Sequence, residues 1–194
     1  RPETLKQLQH MAVDPYFEEY RSNPRWVQLA SDLLGEDCDV QQPEWFNKPP
    51  GTKHATPPHQ DNYYFCLRPP SVVTLWLALD PVDTENGCLR YVPGSHQHEI
   101  RDHSATKVMG FSQGIVDYSD ADREQEVTIQ LAPGDLVAHH GKTIHRAEAN
   151  QSEARQRRAF AMVIRGVSCQ LDEDAYARYE AALKSQHEQV GQHQ

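Results

Sequence analysis

The chain has 194 residues and a net charge of −9; its 22.2 kDa suits one domain, residues 1–194, with a sizeable core. The acidic balance argues against a nucleic-acid or anionic-membrane partner, and no apolar run reaches the length of a membrane span. Cys38, Cys66, Cys88 and Cys169 form no Cys-x-x-Cys pair, so a reduced, cytoplasmic setting fits them better than a disulfide framework.

Residues 1–37 read as helical. Leu5, Leu8 and Ala12 share one side of a short helix expected over residues 2–13. A clearer helix has Asn23 as N-cap, Pro24 at its first position and Gly35 as its stop. Its Trp26, Leu29, Ala30, Leu33 and Leu34 form a stripe suited to packing on a sheet. Over residues 38–166 the texture changes to short runs punctuated by Asn86-Gly87, Pro93-Gly94 and Pro133-Gly134. Strands are expected over 40–48, 59–67, 71–80, 88–92, 126–131, 134–140, 143–148 and 156–166. Strands without helical periods between them predict a mostly β fold. The expected form is a double-stranded β-helix, the cupin-like jelly roll, with the N-terminal helices packed on one sheet. Residues 100–125 read as polar and irregular apart from Val108-Met109-Gly110-Phe111, either a lid over the active-site mouth or a plain surface insertion. Residues 171–194 begin as a polar helix and end in a Gln- and His-rich tail.

Parity assigns the faces of the last strand. Arg157, Ala159, Ala161 and Val163 share one face, whose small residues leave room inside the barrel. Phe160, Met162 and Ile164 share the other with Arg158, and suit burial under the early helices.

One constellation carries chemistry. His59 and Asp61 flank Gln60, and on a β-strand both side chains would leave the same face. His145 lies in the later run Thr143-Ile144-His145-Arg146-Ala147, and Arg157 follows twelve residues beyond it. Two histidines and a carboxylate with coordination positions left open form the facial triad of non-haem Fe(II) oxygenases. In a chain with 11 histidines a lone His-x-Asp is most simply a surface hydrogen-bonding pair. The surrounding segments weigh against that reading. They are Pro57-Pro58-His59-Gln60-Asp61-Asn62-Tyr63-Tyr64-Phe65, Trp76-Leu77-Ala78-Leu79-Asp80, Glu85-Asn86-Gly87-Cys88-Leu89, Val92-Pro93-Gly94-Ser95-His96, Gly134-Asp135-Leu136-Val137 and Arg157-Arg158-Ala159.

In this order the segments resemble the phytanoyl-CoA dioxygenase family of Fe(II)/2-oxoglutarate-dependent oxygenases, over roughly residues 40–166. The resemblance implies that His59, Asp61 and His145 bind iron, that Arg157 binds the distal carboxylate of 2-oxoglutarate, and that Trp76 lines the cosubstrate pocket. It implies hydroxylation of a C–H bond of a small-molecule substrate with O2, yielding succinate and CO2. Halogenases of this superfamily carry a small residue at the carboxylate position, so Asp61 implies hydroxylation and not chlorination. Two departures stand out. Ala147 occupies a place where the family usually has a serine or threonine that helps hold the cosubstrate. The spacer before the arginine is one residue longer, as if Ala154 were inserted, which leaves Arg155 as a competitor for Arg157. The chain opens on Arg1-Pro2-Glu3, which is no signal peptide; family members usually carry more structure ahead of this point, so a preceding segment is expected to be missing.

Asn62, Tyr63, Tyr64, His140, His54 and Arg90 are weaker candidates for substrate contacts, each with packing or solvation as the plainer explanation. Two other readings compete with the oxygenase: a cupin-like metalloenzyme that does not use 2-oxoglutarate, and a non-catalytic jelly-roll binding module. The first has no use for Arg157, and the second leaves the triad and the arginine as a coincidence.

Overall fold

The computed structural model describes residues 4–108 and 111–191. The N-terminal part departs from the expected helix over residues 2–13. Gln7 and Leu8 form a short edge strand, β1 (Gln7–Leu8), followed by a 3-10 turn over Met11–Val13. Leu5 and Leu8 are largely exposed, so the apolar side that would have stabilised a helix has no surface to bury against. The first helix is instead α1 (Pro15–Arg21), whose N-cap Asp14 accepts a hydrogen bond from the Tyr16 amide at 2.9 Å. Helix α2 (Pro24–Leu34) has the expected ends: Asn23 accepts from the Arg25 amide at 3.1 Å, and Gly35 closes the helix at φ 75°. Its stripe is rotated slightly from the expected one, with Leu33 exposed and Val27 packed inward.

The strands then follow as β2 (Cys38–Lys48), β3 (Thr56–His59), β4 (Leu67–Arg68), β5 (Val72–Ala78), β6 (Leu89–Tyr91), β7 (His103–Val108), β8 (Phe111–Ile115), β9 (Val127–Ile129), β10 (Leu136–His140), β11 (His145–Ala147), β12 (Arg157–Gly166) and β13 (Gln170–Leu171). Short helices α3 (Asp61–Phe65) and α4 (Asp120–Glu124) interrupt them, and α5 (Glu173–Gly191) ends the described chain. Two expectations are corrected. The run 59–67 is not one strand but the end of β3, helix α3 and then β4. Within 100–125 the described residues are not irregular: β7 and β8 pair antiparallel, α4 carries a Ser119–Asp122 capping box, and Met109 and Gly110 of the expected apolar run lie outside the described residues.

Two antiparallel sheets dominate. One has the order β1-β2-β12-β5-β10 and the other β3-β11-β6-β9. Strand β12 lies between β2 and β5, so both of its edges are paired. Ala159 and Ala161 share a cluster with Trp76, Ala78, Tyr91 and Ala147, drawn from both sheets. Phe160, Met162 and Ile164 share the opposite cluster with Ala30, Val40 and Leu75, against which Phe17, Tyr20 and Trp26 also pack. The Phe17 ring stacks on Phe160 at 5.7 Å, and Tyr20 meets it edge-on at 5.2 Å. Burial of a side chain such as Phe160 contributes about 1.5–3 kcal/mol. Among the described residues no helix is long and apolar enough to cross a membrane.

Candidate metal centre

The pairing of β3 with β11 puts His59 directly opposite His145, and their rings lie 4.2 Å apart between centroids. Asp61 reaches them by a different route from the one its spacing suggests. It is not on the strand; Gln60 is still extended, and Asp61 is the first residue of α3. The turn into the helix brings Asp61 Oδ1 to 3.5 Å from His59 Nε2 and 3.6 Å from His145 Nε2. One ligand atom from each of the three residues lies within 4.8 Å of the others. Gln60 is fully buried and anchors the turn: its Nε2 donates to the Lys142 carbonyl at 2.8 Å, and its Oε1 accepts from the Arg101 amide at 2.9 Å. Between β10 and β11 the chain passes so close to the start of β5 that a side chain at Gly141 would clash. A Cβ on Gly141 would lie 2.3 Å from Val72 Cγ1, and the Gly141 carbonyl accepts from the Asn62 amide.

Hydrogen bonds fix which nitrogen each ring turns to the centre. His59 Nδ1 lies 2.8 Å from the Pro57 carbonyl and His145 Nδ1 2.9 Å from the Thr143 carbonyl. A carbonyl only accepts, so both Nδ1 atoms carry the proton and both Nε2 lone pairs face Asp61. Burial lowers the His145 pKa well below the ordinary histidine value, reinforced by the neighbouring His59, which favours the neutral ring that a metal needs. Burial alone would raise the Asp61 carboxyl; the facing His145, His139 and His59 instead hold it well below the usual carboxylate range. The three donors are those of a borderline divalent metal site, and their lone pairs converge, so the residues fit an iron ion.

A cavity of about 360 Å3 opens beside this cluster. His59, Asp61 and His145 line it together with Trp76, Ala147 and Arg157. Arg157 projects from the start of β12 and is only 5% exposed, its guanidinium carbon 5.4 Å from the Trp76 ring centre. Among the described residues no carboxylate pairs with it, and its Nε has no acceptor. Burial pulls its pKa down to about 10, so it remains a cation at neutral pH. Asp80, whose charge it feels, is committed to Arg158 on the outer face. Arg155 is elsewhere: it lies outside the cavity lining and holds Asp83 at 2.7 Å and Glu85 at 2.5 Å. The loop before β12 is held by Asn150 Nδ2, which donates to the Lys48 and Arg155 carbonyls, and by Ser152 Oγ, which accepts from the Arg155 amide. An arginine without a counter-ion at one end of the cavity fits the distal carboxylate of a dicarboxylate cosubstrate.

The weaker candidates separate. Tyr64 and His54 line the cavity, with the Tyr64 ring 5.8 Å from His59. Tyr63 lies behind it, stacked on His103 at 4.0 Å and donating to Gln113 Oε1. The Asn62 side chain donates to the Leu67 carbonyl, His140 lies outside the cavity lining, and Arg90 pairs with Glu148 and Glu126. Residues that the sequence did not single out are His139, Thr74 and Lys48. His139 Nε2 is 3.1 Å and Thr74 Oγ1 2.8 Å from Asp61 Oδ2. Strand alternation within β10 puts His139 and His140 on opposite faces, which signals that one of them turns inward without saying which. Lys48 sits opposite Arg157 on β2 and is buried, its Nζ donating to the Ala147 and Glu148 carbonyls at 3.3 and 2.5 Å.

The profile of the phytanoyl-CoA dioxygenase family matches residues 3–159. A probable phytanoyl-CoA dioxygenase of Caenorhabditis elegans is 30% identical over 186 residues, covering 90% of this chain and 56% of its own. The phytanoyl-CoA dioxygenase of Arabidopsis thaliana is 31% identical over 165 residues, covering 84% of this chain and 57% of its own. The chain therefore spans a little over half the length of these relatives. Among solved structures, EvdO2 of Micromonospora carbonacea var. aurantiaca, in complex with 2-oxoglutarate, superposes with a TM-score of 0.72 at 26% identity, covering 86% of this chain and 69% of that one. With the family profile spanning most of its length, this chain belongs to the phytanoyl-CoA dioxygenase family.

Proposed function

We propose that the chain forms an Fe(II)- and 2-oxoglutarate-dependent dioxygenase that hydroxylates a C–H bond of a small-molecule metabolite, with formation of succinate and CO2. His59, Asp61 and His145 hold the iron, and Arg157 and Trp76 hold the cosubstrate. The observation that carries this reading is Arg157, a buried cation without a carboxylate partner among the described residues, in the same cavity as the two histidines and the aspartate. A metalloenzyme without 2-oxoglutarate would leave that charge uncompensated, which is costly in a desolvated site. When bound, iron and 2-oxoglutarate supply the activation of O2 that no side chain can perform. The chain's own residues do the rest. The Pro57 and Thr143 carbonyls keep the Nε2 lone pairs of His59 and His145 turned to the centre. Arg157 orients the cosubstrate by a two-pronged contact with its far carboxylate. Trp76, Ala161 and Leu89 keep water from the cavity wall.

The finer features belong to the same proposal. The two sheets are read as a jelly roll with α1 and α2 packed on the five-stranded one. The four cysteines, free in the structure, support a reduced, cytoplasmic setting, and the acidic chain has no call for nucleic acid. Anaerobic addition of Fe(II) and then 2-oxoglutarate tests the reading: a visible iron-to-cosubstrate charge-transfer band is expected. Metal binding without that band would favour a cosubstrate-independent enzyme.

A further inference from the structure

Three histidines crowd this centre, and they are not equivalent. The His139 ring lies 4.5 Å from His145, is 7% exposed and projects from β10, a strand of the opposite sheet. Its Nε2 faces Asp61 Oδ2 at 3.1 Å. An ionised carboxylate only accepts, so His139 Nε2 carries a hydrogen, whereas Nε2 of His59 and of His145 is a lone pair. In the neutral ring His139 Nδ1 is then an acceptor, and the Tyr91 hydroxyl lies 3.0 Å from it. A phenol hydroxyl is protonated at neutral pH, so Tyr91 donates to this nitrogen. A directed chain results: Tyr91 donates to His139, which donates to Asp61 Oδ2, where Thr74 Oγ1 donates as well. Both donors fall on one carboxylate oxygen, leaving Oδ1 toward His59 and His145.

On the reading that this centre binds iron, we infer that His139 is a positioning residue, set by Tyr91, that confines Asp61 to one metal-facing oxygen. An oxygen engaged by two donors is poorly available as a second ligand atom. Asp61 therefore occupies one coordination position, and the others stay open for cosubstrate and O2. Outer partners of this type are typically worth about 10–100-fold in metal affinity.

The test is titration of the full chain with Co(II), read by its ligand-field absorption, on the wild type and on His139→Phe, His139→Gln and Tyr91→Phe, with circular dichroism as the check on folding. His139→Phe should weaken Co(II) binding about 10–100-fold and change the absorption envelope as Asp61 becomes free to chelate. His139→Gln, which retains an N–H donor, should recover part of the loss. Tyr91→Phe, which preserves ring volume, should weaken binding in the same direction but less, and it keeps the inference testable if His139→Phe does not fold. Wild-type affinity and an unchanged spectrum in folded His139→Phe and Tyr91→Phe would overturn the inference and leave the metal-site reading standing. Failure of the wild type to bind Co(II) would overturn both.

Discussion

Removal of the Arg157 guanidinium is the sharpest perturbation of the proposed cosubstrate site. Arg157 is 5% exposed, sits against Trp76 and has no competing carboxylate among the described residues, so an incoming distal carboxylate would meet an essentially desolvated cation. Losing one partner of such a pair costs about 2–5 kcal/mol. At about 1.4 kcal/mol per decade, Arg157→Ala should raise the 2-oxoglutarate concentration for half-saturation roughly 30- to 4,000-fold. Arg157→Lys should fall between, because an ammonium offers a point charge without the planar fork. Arg155→Ala provides the control. Its guanidinium is occupied by Asp83 and Glu85, its side chain is 38% exposed, and it lies outside the cavity lining. Its removal should leave cosubstrate affinity within about twofold of wild type. The assay is anaerobic titration of the Fe(II)-loaded proteins with 2-oxoglutarate, followed by the charge-transfer band. A large loss in Arg155→Ala with none in Arg157→Ala would refute the assignment.

Other expectations follow from neighbouring residues. Ala147 is buried at the cavity wall without a hydroxyl, so Ala147→Ser should tighten 2-oxoglutarate binding by about 0.5–1.5 kcal/mol in the same titration. Two imidazoles and a carboxylate also accept Co, Ni or Zn, so protein purified with a surrogate metal should be inactive and regain turnover after chelation and addition of Fe(II) with reductant; equal activity with Zn alone would exclude redox chemistry. Burial, with the nearby Arg157, lowers the Lys48 pKa to about 7. The unfolded chain then holds more protons at Lys48 between pH 7 and the ordinary lysine value, so this residue makes stability rise with pH across that window. Chemical denaturation of wild type and Lys48→Met at pH 7 and 9 should show the wild type gaining more, by up to about 1.4 kcal/mol per pH unit; parallel curves would mean that Lys48 stays charged.

The metal-binding candidates were legible because their chemistry is carried by residue type and order, and β3–β11 pairing brings His59 and His145 together as neighbouring strands would. The route of Asp61 was not legible. Asn62-Tyr63-Tyr64-Phe65 has the aromatic texture of a strand, yet it forms a short helix whose Asn62 amide docks on the distant Gly141 carbonyl, a tertiary contact that local pattern does not carry. Tertiary pairing also overrode local pattern at Gln7 and Leu8, captured as an edge by β2. The antiparallel β7–β8 pair was not legible because residues 103–106 lack a strand-like apolar alternation. His139 was hidden by the adjacent His140, and only the observed pairing of β10 decides which of two consecutive imidazoles enters the cavity.

Strand β12 makes two kinds of damage separable. Reading along it, Arg157, Ala159, Ala161 and Val163 touch the cavity or the cluster between the sheets, while Phe160, Met162 and Ile164 belong to the cluster under α1 and α2. A saturation library over this one strand should therefore split by position. Substitutions at the cavity-lining Arg157, Ala161 and Val163 would mainly yield protein that handles its cosubstrate poorly, whereas those at Phe160, Met162 and Ile164, and enlargement of the fully buried Ala159, would yield little folded protein. Altered selectivity would then be sought at Ala161 and Val163, and thermal robustness at Phe160 and Met162, with little interference between the two searches.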